Sequence, residues 1–171
     1  IAAAQENGNP IVPEVCIYFE YNLYRGNRTS KVNSEDFEAF HSYNYPILAE
    51  AGVHIKYNKH AIYYRKKSTE DVCKEFNENI IVLKLFPGIT QIAVQSILAI
   101  PNLKGVVLET YGSGNATTAP WFLQELKLAI SKGISILNVT QCQAGSVMHG
   151  KYDTSSGFNS IGVLSGKDIT T

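Results

Sequence analysis

Cysteine is scarce in this chain, and long apolar runs and single-sign charge blocks are missing. Its 171 residues hold three cysteines, Cys16, Cys73 and Cys142. They are widely spaced, odd in number and form no C-x-x-C pair. That argues against a disulfide framework or a zinc site and fits a reducing compartment. The four histidines, His41, His54, His60 and His149, also lack metal-ligand spacing, so no structural metal is expected. No apolar run approaches the ~18 residues that span a bilayer, which excludes a membrane helix. The longest basic block is Arg65-Lys66-Lys67, and the formal net charge is zero. Nucleic acid and anionic membrane are therefore not expected as partners. The start has neither the basic segment nor the apolar core of a signal peptide.

What is present reads as a folded protein. The composition is 44% hydrophobic and 18% charged, typical of globular domains rather than disordered chains. The length suits one ordinary domain or parts of two. Ile1 to Gln5 is a run of helix formers and Gly8-Asn9-Pro10 a stop, so the chain is expected to open inside a helix. At the other end Ile161 to Leu164 is strand-like, and Asp168, Thr170 and Thr171 are residue types that cap a helix start. With no initiator methionine, these ends are read as those of an interior piece of a longer protein.

The first third predicts antiparallel structure. Val15 to Phe19 and Leu23 to Arg25 are β-rich runs around Glu20-Tyr21-Asn22, the pattern of a hairpin. Gly26-Asn27 turns the chain again, and Ser34-Glu35-Asp36 offers a helix cap ahead of Phe37 and Phe40. From Lys56 to Asn79 the sequence is polar and charged without clear period, as in a connection between domains.

The second half alternates. Ile80 to Phe86, Gly105 to Glu109 and Ile134 to Val139 are nearly continuous apolar strands. Between them, Thr90 can cap a helix that Pro101 stops, with Ile89 and Val94 as a hydrophobic staple. Thr118 can cap a second helix, from Ala119 to Lys132, with Phe122, Leu126 and Ile130 on one face and Gly133 as terminator. The fold class expected is α/β. A β-hairpin and linker precede a small Rossmann-like domain whose parallel sheet is covered on both faces. The boundaries are 1–57 for the end of a first domain, 58–79 for the linker and 80–171 for the second domain. Ligands of open α/β sheets sit beyond the carboxyl ends of the strands. Here those ends are Pro87-Gly88, Thr110 to Asn115 and Thr140 to Gly145. The loops "ETYGSGN" and "TQCQAGS" supply glycines for close approach and polar groups for a small polar molecule.

Several ordered motifs carry a more specific likeness. "LYRGNRTSKV…DFEAF", "NYPILAEAGVHI", "FPGI", "YGSGNA", "FLQELKLAISKGISILNVTQC" and "GVLSGKDIT" together resemble the type I, cytosolic L-asparaginases. The resemblance runs from about residue 11 to the end, except near residues 58–79. It implies a hydrolase that converts L-asparagine to L-aspartate and ammonia by threonine-dependent acyl transfer, without cofactor, in the cytoplasm. The chain then covers the last part of the family's N-terminal domain and most of its C-terminal one. By position Lys31 is the lysine of the family's Thr-Asp-Lys catalytic group, where it holds an aspartate and a threonine in the protonation state for acyl transfer. The family's T-G-G-T nucleophile segment and its later Thr-Asp pair do not occur before Lys31, so this polypeptide alone is expected to be inactive. Asn115 matches an asparagine that reaches the active site of the neighbouring subunit in an intimate dimer, which can pair into a tetramer.

A second asparagine site, regulatory in some bacterial members, corresponds to Ser30, Glu109, Thr140 and Cys142. The departure is Glu109, where the regulated pattern has arginine. A carboxylate there repels the effector carboxylate that arginine would pair, so this regulation is not expected. Cys142 is then expected as an ordinary small buried residue. Two alternatives stand beside the hydrolase. One is an asparaginase-like amidotransferase subunit delivering ammonia to a charged tRNA, which the missing basic patch disfavours. The other is a non-catalytic dimerisation or ligand-sensing module.

Overall fold

A computed structural model describes residues 4–35, 38–64, 74–148 and 153–169. The chain divides into two compact units, Ile1–Val72 and Cys73–Ile169.

The first unit is built from short antiparallel strands. Asn7 and Gly8 both take positive φ, 53° and 78°, the backbone of a two-residue hairpin turn. Strands β1 (Gln5–Glu6) and β2 (Asn9–Pro10) therefore pair across it. This corrects the helix expected through Gln5: five residues of good propensity cannot nucleate a helix against an Asn-Gly turn. Ile1 to Ala3 of that reading lie outside the described residues. The hairpin read around Glu20 is present as β3 (Cys16–Phe19) and β4 (Asn22–Arg25). A single 3₁₀ turn, Gly26–Arg28, leads to β5 (Ser30–Lys31), which pairs with β6 (Phe40–His41). Phe40 thus lies in a strand, not in a helix capped at Ser34. Asp36 and Phe37 of that reading lie outside the described residues. Strands β7 (Ala49–Glu50) and β8 (Lys56–Tyr57) complete a four-stranded sheet in the order β3-β4-β7-β8.

Val12, Leu23, Leu48, Ala49, Ala61 and Ile62 form this unit's core. Residues 58–64, read from composition as linker, carry Ala61 and Ile62 into that core. Residues 65–73 of the linker reading lie outside the described residues. Arg25 braces the unit. Its guanidinium pairs with Glu14, donates to the Ala61 carbonyl and lies 4.1 Å from the centre of the Tyr45 ring. The Glu14 hydrogen bond holds its proton more firmly still.

The second unit repeats strand and helix. Strand β9 (Ile80–Lys84) precedes α1 (Gln91–Leu98), β10 (Gly105–Thr110), α2 (Pro120–Ser131), β11 (Ser135–Thr140), α3 (Asp153–Ile161) and β12 (Leu164–Ser165). Thr90 caps α1 as its sequence predicts, its Oγ1 accepting from the Ala93 N–H at 3.2 Å. Ile89 packs on the cluster that holds Val94. Helix α2 begins differently from expectation. Thr118 is not its cap: Ala119 takes that place and Pro120 the first helical position, where a missing N–H costs nothing. At its end Gly133 has φ 87°. The N–H groups of Gly133 and Ile134 return to the carbonyls of Ile130 and Ala129, a Schellman closure. The segment Ile161 to Leu164, read as strand, is the end of α3 and the start of β12.

All four strands are parallel, in the order β12-β11-β10-β9. That order corrects the expectation of helices on both faces. Right-handed crossovers between successive neighbours deliver every helix to the same side, and α2 indeed packs against both α1 and α3. Val106 and Leu108 of β10 and Ile136 of β11 join Phe122, Leu126 and Phe158 in the core on that side. On the other side, one register row runs Val82, Val107, Leu137, Leu164. Val82 is 53% and Leu164 57% exposed, so among the described residues this face is open. No helix among the described residues is long and apolar enough to cross a membrane.

Phe122 is fully buried whereas Leu128, on the same helix, is half exposed. Phe122→Ala is expected to cost about 3–5 kcal/mol, and Leu128→Ala within about 0.5 kcal/mol of nothing. Denaturant titration of the folded protein checks both; equal midpoints for the two variants would contradict this core.

Candidate functional site

The carboxyl ends of β9, β10 and β11 lie side by side because the strands are parallel and in register. Three polar residues are buried among the described residues: Thr110, Asn138 and Thr140. All three stand at this edge. The Thr110 hydroxyl lies 2.7 Å from Asn138 Oδ1 and 3.2 Å from the Val139 carbonyl. Thr140 Oγ1 donates to the Gly112 carbonyl and accepts from the Cys142 N–H at 3.0 Å. Buried polar groups persist only when hydrogen-bonded, so this cluster fixes the loops that leave the strands.

The loop after β10 is a closed turn. The Tyr111 N–H donates to the Asn115 carbonyl at 2.9 Å, and the N–H groups of Gly114 and Asn115 both donate to the Tyr111 carbonyl. Gly114 is required there. Its φ is 110°, and a Cβ would come within 2.9 Å of Val147 Cγ1. The Met148 N–H donates to the Ser113 carbonyl from the far side. Asn115, half-buried, is thereby held at the tip of the sheet edge.

A cavity of about 270 Å³ opens at this edge, lined by Leu85 through Ile89, Tyr111 and Thr117. It lies just beyond the carboxyl ends of the neighbouring strands β9 and β10. A larger hollow of about 440 Å³ lies in the first unit, lined by Pro13, Glu14, Val15, Arg25, Asn27 and Tyr63. Its main charges are already committed, Glu14 to Arg25 and to the Tyr63 N–H. We therefore place the candidate site at the sheet edge.

Glutamine 141 was missed in the sequence. Its Nε2 donates to the Leu85 carbonyl at 2.6 Å and to the Glu109 carbonyl at 2.9 Å, and its backbone N–H donates to the Thr110 carbonyl at 2.9 Å. Asn138 was missed too, although a lone amide inside "ISILNV" was a usable signal.

Of the residues singled out in the sequence, Lys31 lies in β5 of the first unit and is exposed, beside half-buried Ser30. Glu109, Thr140, Cys142 and Asn115 belong to the second unit. Glu109 sits 3.6 Å from Lys84 Nζ, on the next strand. Cys142 is exposed, which corrects the expectation of a buried residue. The chain leaves the sheet after Thr140, so residue 142 rides on the loop surface. Among the described residues no cluster of three His, Cys, Asp or Glu side chains could hold a metal ion.

Comparison with known proteins gives the same organisation. The model of the glutaminase/asparaginase C-terminal domain matches residues 79–171, and that of the asparaginase N-terminal domain matches residues 1–63. The chain is 41% identical to the 60 kDa lysophospholipase of Mus musculus over 96% of its own length and 29% of the relative's. It is 38% identical to L-asparaginase 1 of Escherichia coli (strain K12), covering 93% of this chain and 47% of that protein. The crystal structure of L-asparaginase I from Vibrio cholerae superposes with a TM-score of 0.83 at 35% identity, over 93% of this chain and 48% of the other. The chain thus spans half or less of the length of these relatives.

The two described thiols differ in exposure. Burial first, and Glu14 second, push the Cys16 thiol up, which lowers its thiolate fraction. Cys142, the more exposed of the two, is expected to be alkylated faster at pH 8, since the thiolate is the nucleophile and must be reached. Peptide mass spectrometry after timed iodoacetamide treatment measures the order; faster labelling of Cys16 would contradict this geometry.

Proposed function

The chain belongs to the glutaminase/asparaginase family, and from that premise we propose that its parent protein hydrolyses L-asparagine to L-aspartate and ammonia. The observation that carries this reading is the pairing of two things. The "TSK" motif ends in an exposed lysine on a short strand of the first unit. The "YGSGN" turn is held rigidly at the carboxyl edge of a parallel sheet in the second. The reaction is an acyl transfer to a threonine hydroxyl followed by hydrolysis. In this reading Lys31 supplies charge and proton control to an aspartate and a threonine from elsewhere in the parent. Asn115 reaches the substrate of a neighbouring subunit, so the working unit is an intimate dimer or a tetramer of such dimers. The site is proposed to work in the cytoplasm, with no cofactor.

Lys31→Met in the parent removes the charge and keeps most of the length. It is expected to lower kcat by about 10²–10⁴ with the fold retained. Coupled ammonia release and circular dichroism measure the two. A folded variant with near-normal kcat would return Lys31 to the role of a surface lysine. Residues 1–171 alone are expected to release no ammonia. Turnover of a lysophospholipid by the parent, with none of asparagine, would overturn the amide reading.

Regulation follows from Glu109. Where the resemblance calls for arginine, this chain has a carboxylate that Lys84 already neutralises. An effector carboxylate would have to compete with Glu109 for that single ammonium. At 4 Å and an effective dielectric near 20, its repulsion from Glu109 is about 4 kcal/mol before screening. The parent is therefore expected to show a hyperbolic dependence on asparagine, and Glu109→Arg to move it toward a sigmoidal one. Initial-rate curves decide. Sigmoidal kinetics in the unmodified protein, abolished by Glu109→Ala, would mean that Glu109 binds an effector ammonium instead.

A further inference from the structure

At the carboxyl edge of the parallel sheet, one residue at the end of β11 bonds to the ends of two neighbouring chain segments at once. We propose that Gln141 is a positioning residue. It sets the distance between the two walls of the candidate cavity and thereby the reach of the Asn115 turn. The proposal rests on the asparaginase reading for its substrate and on geometry alone for its mechanism.

The geometry is specific. The Leu85 carbonyl is the last fixed point before Phe86, Pro87, Gly88 and Ile89, which form one wall of the cavity. The Thr110 carbonyl is the last before Tyr111, which forms the other wall and opens the turn to Asn115. The ladder between β9 and β10 runs out here, at the bond from the Leu85 N–H to the Glu109 carbonyl. Beyond it nothing in the ladder holds the strands at a fixed spacing. Gln141 supplies that hold. Its one amide nitrogen bonds the carbonyls of both strands, and its main-chain N–H binds Thr110. An amide NH₂ is the neutral group suited to this work, because it offers two donors from one atom. Glutamate offers none when ionised, and methionine offers none at all.

Gln141 touches the backbone of the walls, not the substrate. Its loss is therefore expected in substrate affinity more than in turnover. The test uses the full parent enzyme with Gln141→Met and Gln141→Glu. Gln141→Met keeps the volume and removes both donors. It is expected to raise KM for L-asparagine about tenfold while kcat changes less than about threefold. Amide exchange at Phe86, Gly88, Ile89 and residues 111–115 is expected to quicken, with the interior of β9 to β11 unchanged. Gln141→Glu carries a pH signature that a packing role would not. As a carboxylate at pH 8 it faces two carbonyl oxygens and behaves like the methionine variant. Protonated at pH 5 it regains one donor, and its KM returns toward that of the unmodified enzyme at the same pH.

Unchanged KM and unchanged exchange in Gln141→Met would overturn the proposal. So would a parallel loss of kcat and folded protein without the pH-dependent recovery, which would make Gln141 merely structural. If the unmodified parent does not hydrolyse asparagine, the asparaginase reading fails by itself. The exchange measurement then decides the positioning role without any substrate.

Discussion

The carbonyl of Leu85, just past the end of β9, takes its donor from a side chain rather than from the ladder. A parallel ladder gives each interior carbonyl a neighbour, but at the carboxyl edge the register stops and the chains diverge into loops. A carbonyl left buried and unbonded costs about 1–3 kcal/mol, and several such groups converge here. The chain answers with side chains: Gln141 on Leu85, Thr140 on the loop carbonyl of Gly112, and a second Gln141 bond to Glu109 beside the one from the Leu85 N–H, while Thr110 and Asn138 bind each other. Those bonds hold the Tyr111–Asn115 turn in place, and the turn in turn admits only a glycine at position 114. The edge where function is expected is therefore also the edge where the polar interior is concentrated. Thr110, Asn138, Thr140 and Gln141 are each committed there to backbone or to a neighbour.

Much of the second unit was legible because its signals are local and mutually consistent. Apolar runs of five or six residues gave the strands. Thr90, Pro101 and Gly133 marked helix boundaries through their own hydrogen bonds and dihedral limits. The first unit was harder. Its strands are two to four residues long, too short for periodicity to separate them from turns. Propensity at Ile1 to Gln5 pointed to helix, but the Asn7-Gly8 turn decided the backbone. Composition at residues 58–64 pointed to a linker, because Ala61 and Ile62 are surrounded by Asn, Lys, His and Tyr. Their burial depends on Leu23 and Leu48, distant in sequence. Coverage of the sheet was misjudged for a topological reason. Strand composition tells that a sheet is parallel, whereas strand order decides which face the crossovers occupy.

The site was legible in its loops and illegible in its braces. "YGSGN" and "TQCQAGS" advertise close backbone approach through glycine. Nothing in the one-dimensional sequence says that Gln141 rather than Gln143 reaches back across two strands. That choice follows from where β11 ends, since residue 141 is the first beyond Thr140 and still lies over the ladder. Lys31 raises the opposite difficulty. Its motif is recognisable, yet in this chain its ammonium is exposed, and an exposed ammonium is solvated and screened. A lysine steers acyl transfer only where water is excluded and a carboxylate pairs with it.

Alternation along β10 explains how one strand can serve both packing and electrostatics. Val106, Leu108 and Thr110 point toward the helices and are buried, whereas Val107 and Glu109 point to the open face. Thr110 is committed through its hydroxyl to Asn138, so its substitution would disturb the loop edge. Glu109 is committed only through its carboxylate to Lys84 on the adjoining strand, and its side chain lies outside the buried polar cluster. Charge at position 109 can therefore change sign while the Thr110–Asn138 bond and the turn beyond it persist. An arginine at 109 would meet Lys84 as a like charge, so Lys84 would swing away into solvent, where it is already largely exposed. The open face would then carry two cations in place of a neutral pair. A change at that one position would thus convert a neutral patch into one that attracts carboxylates.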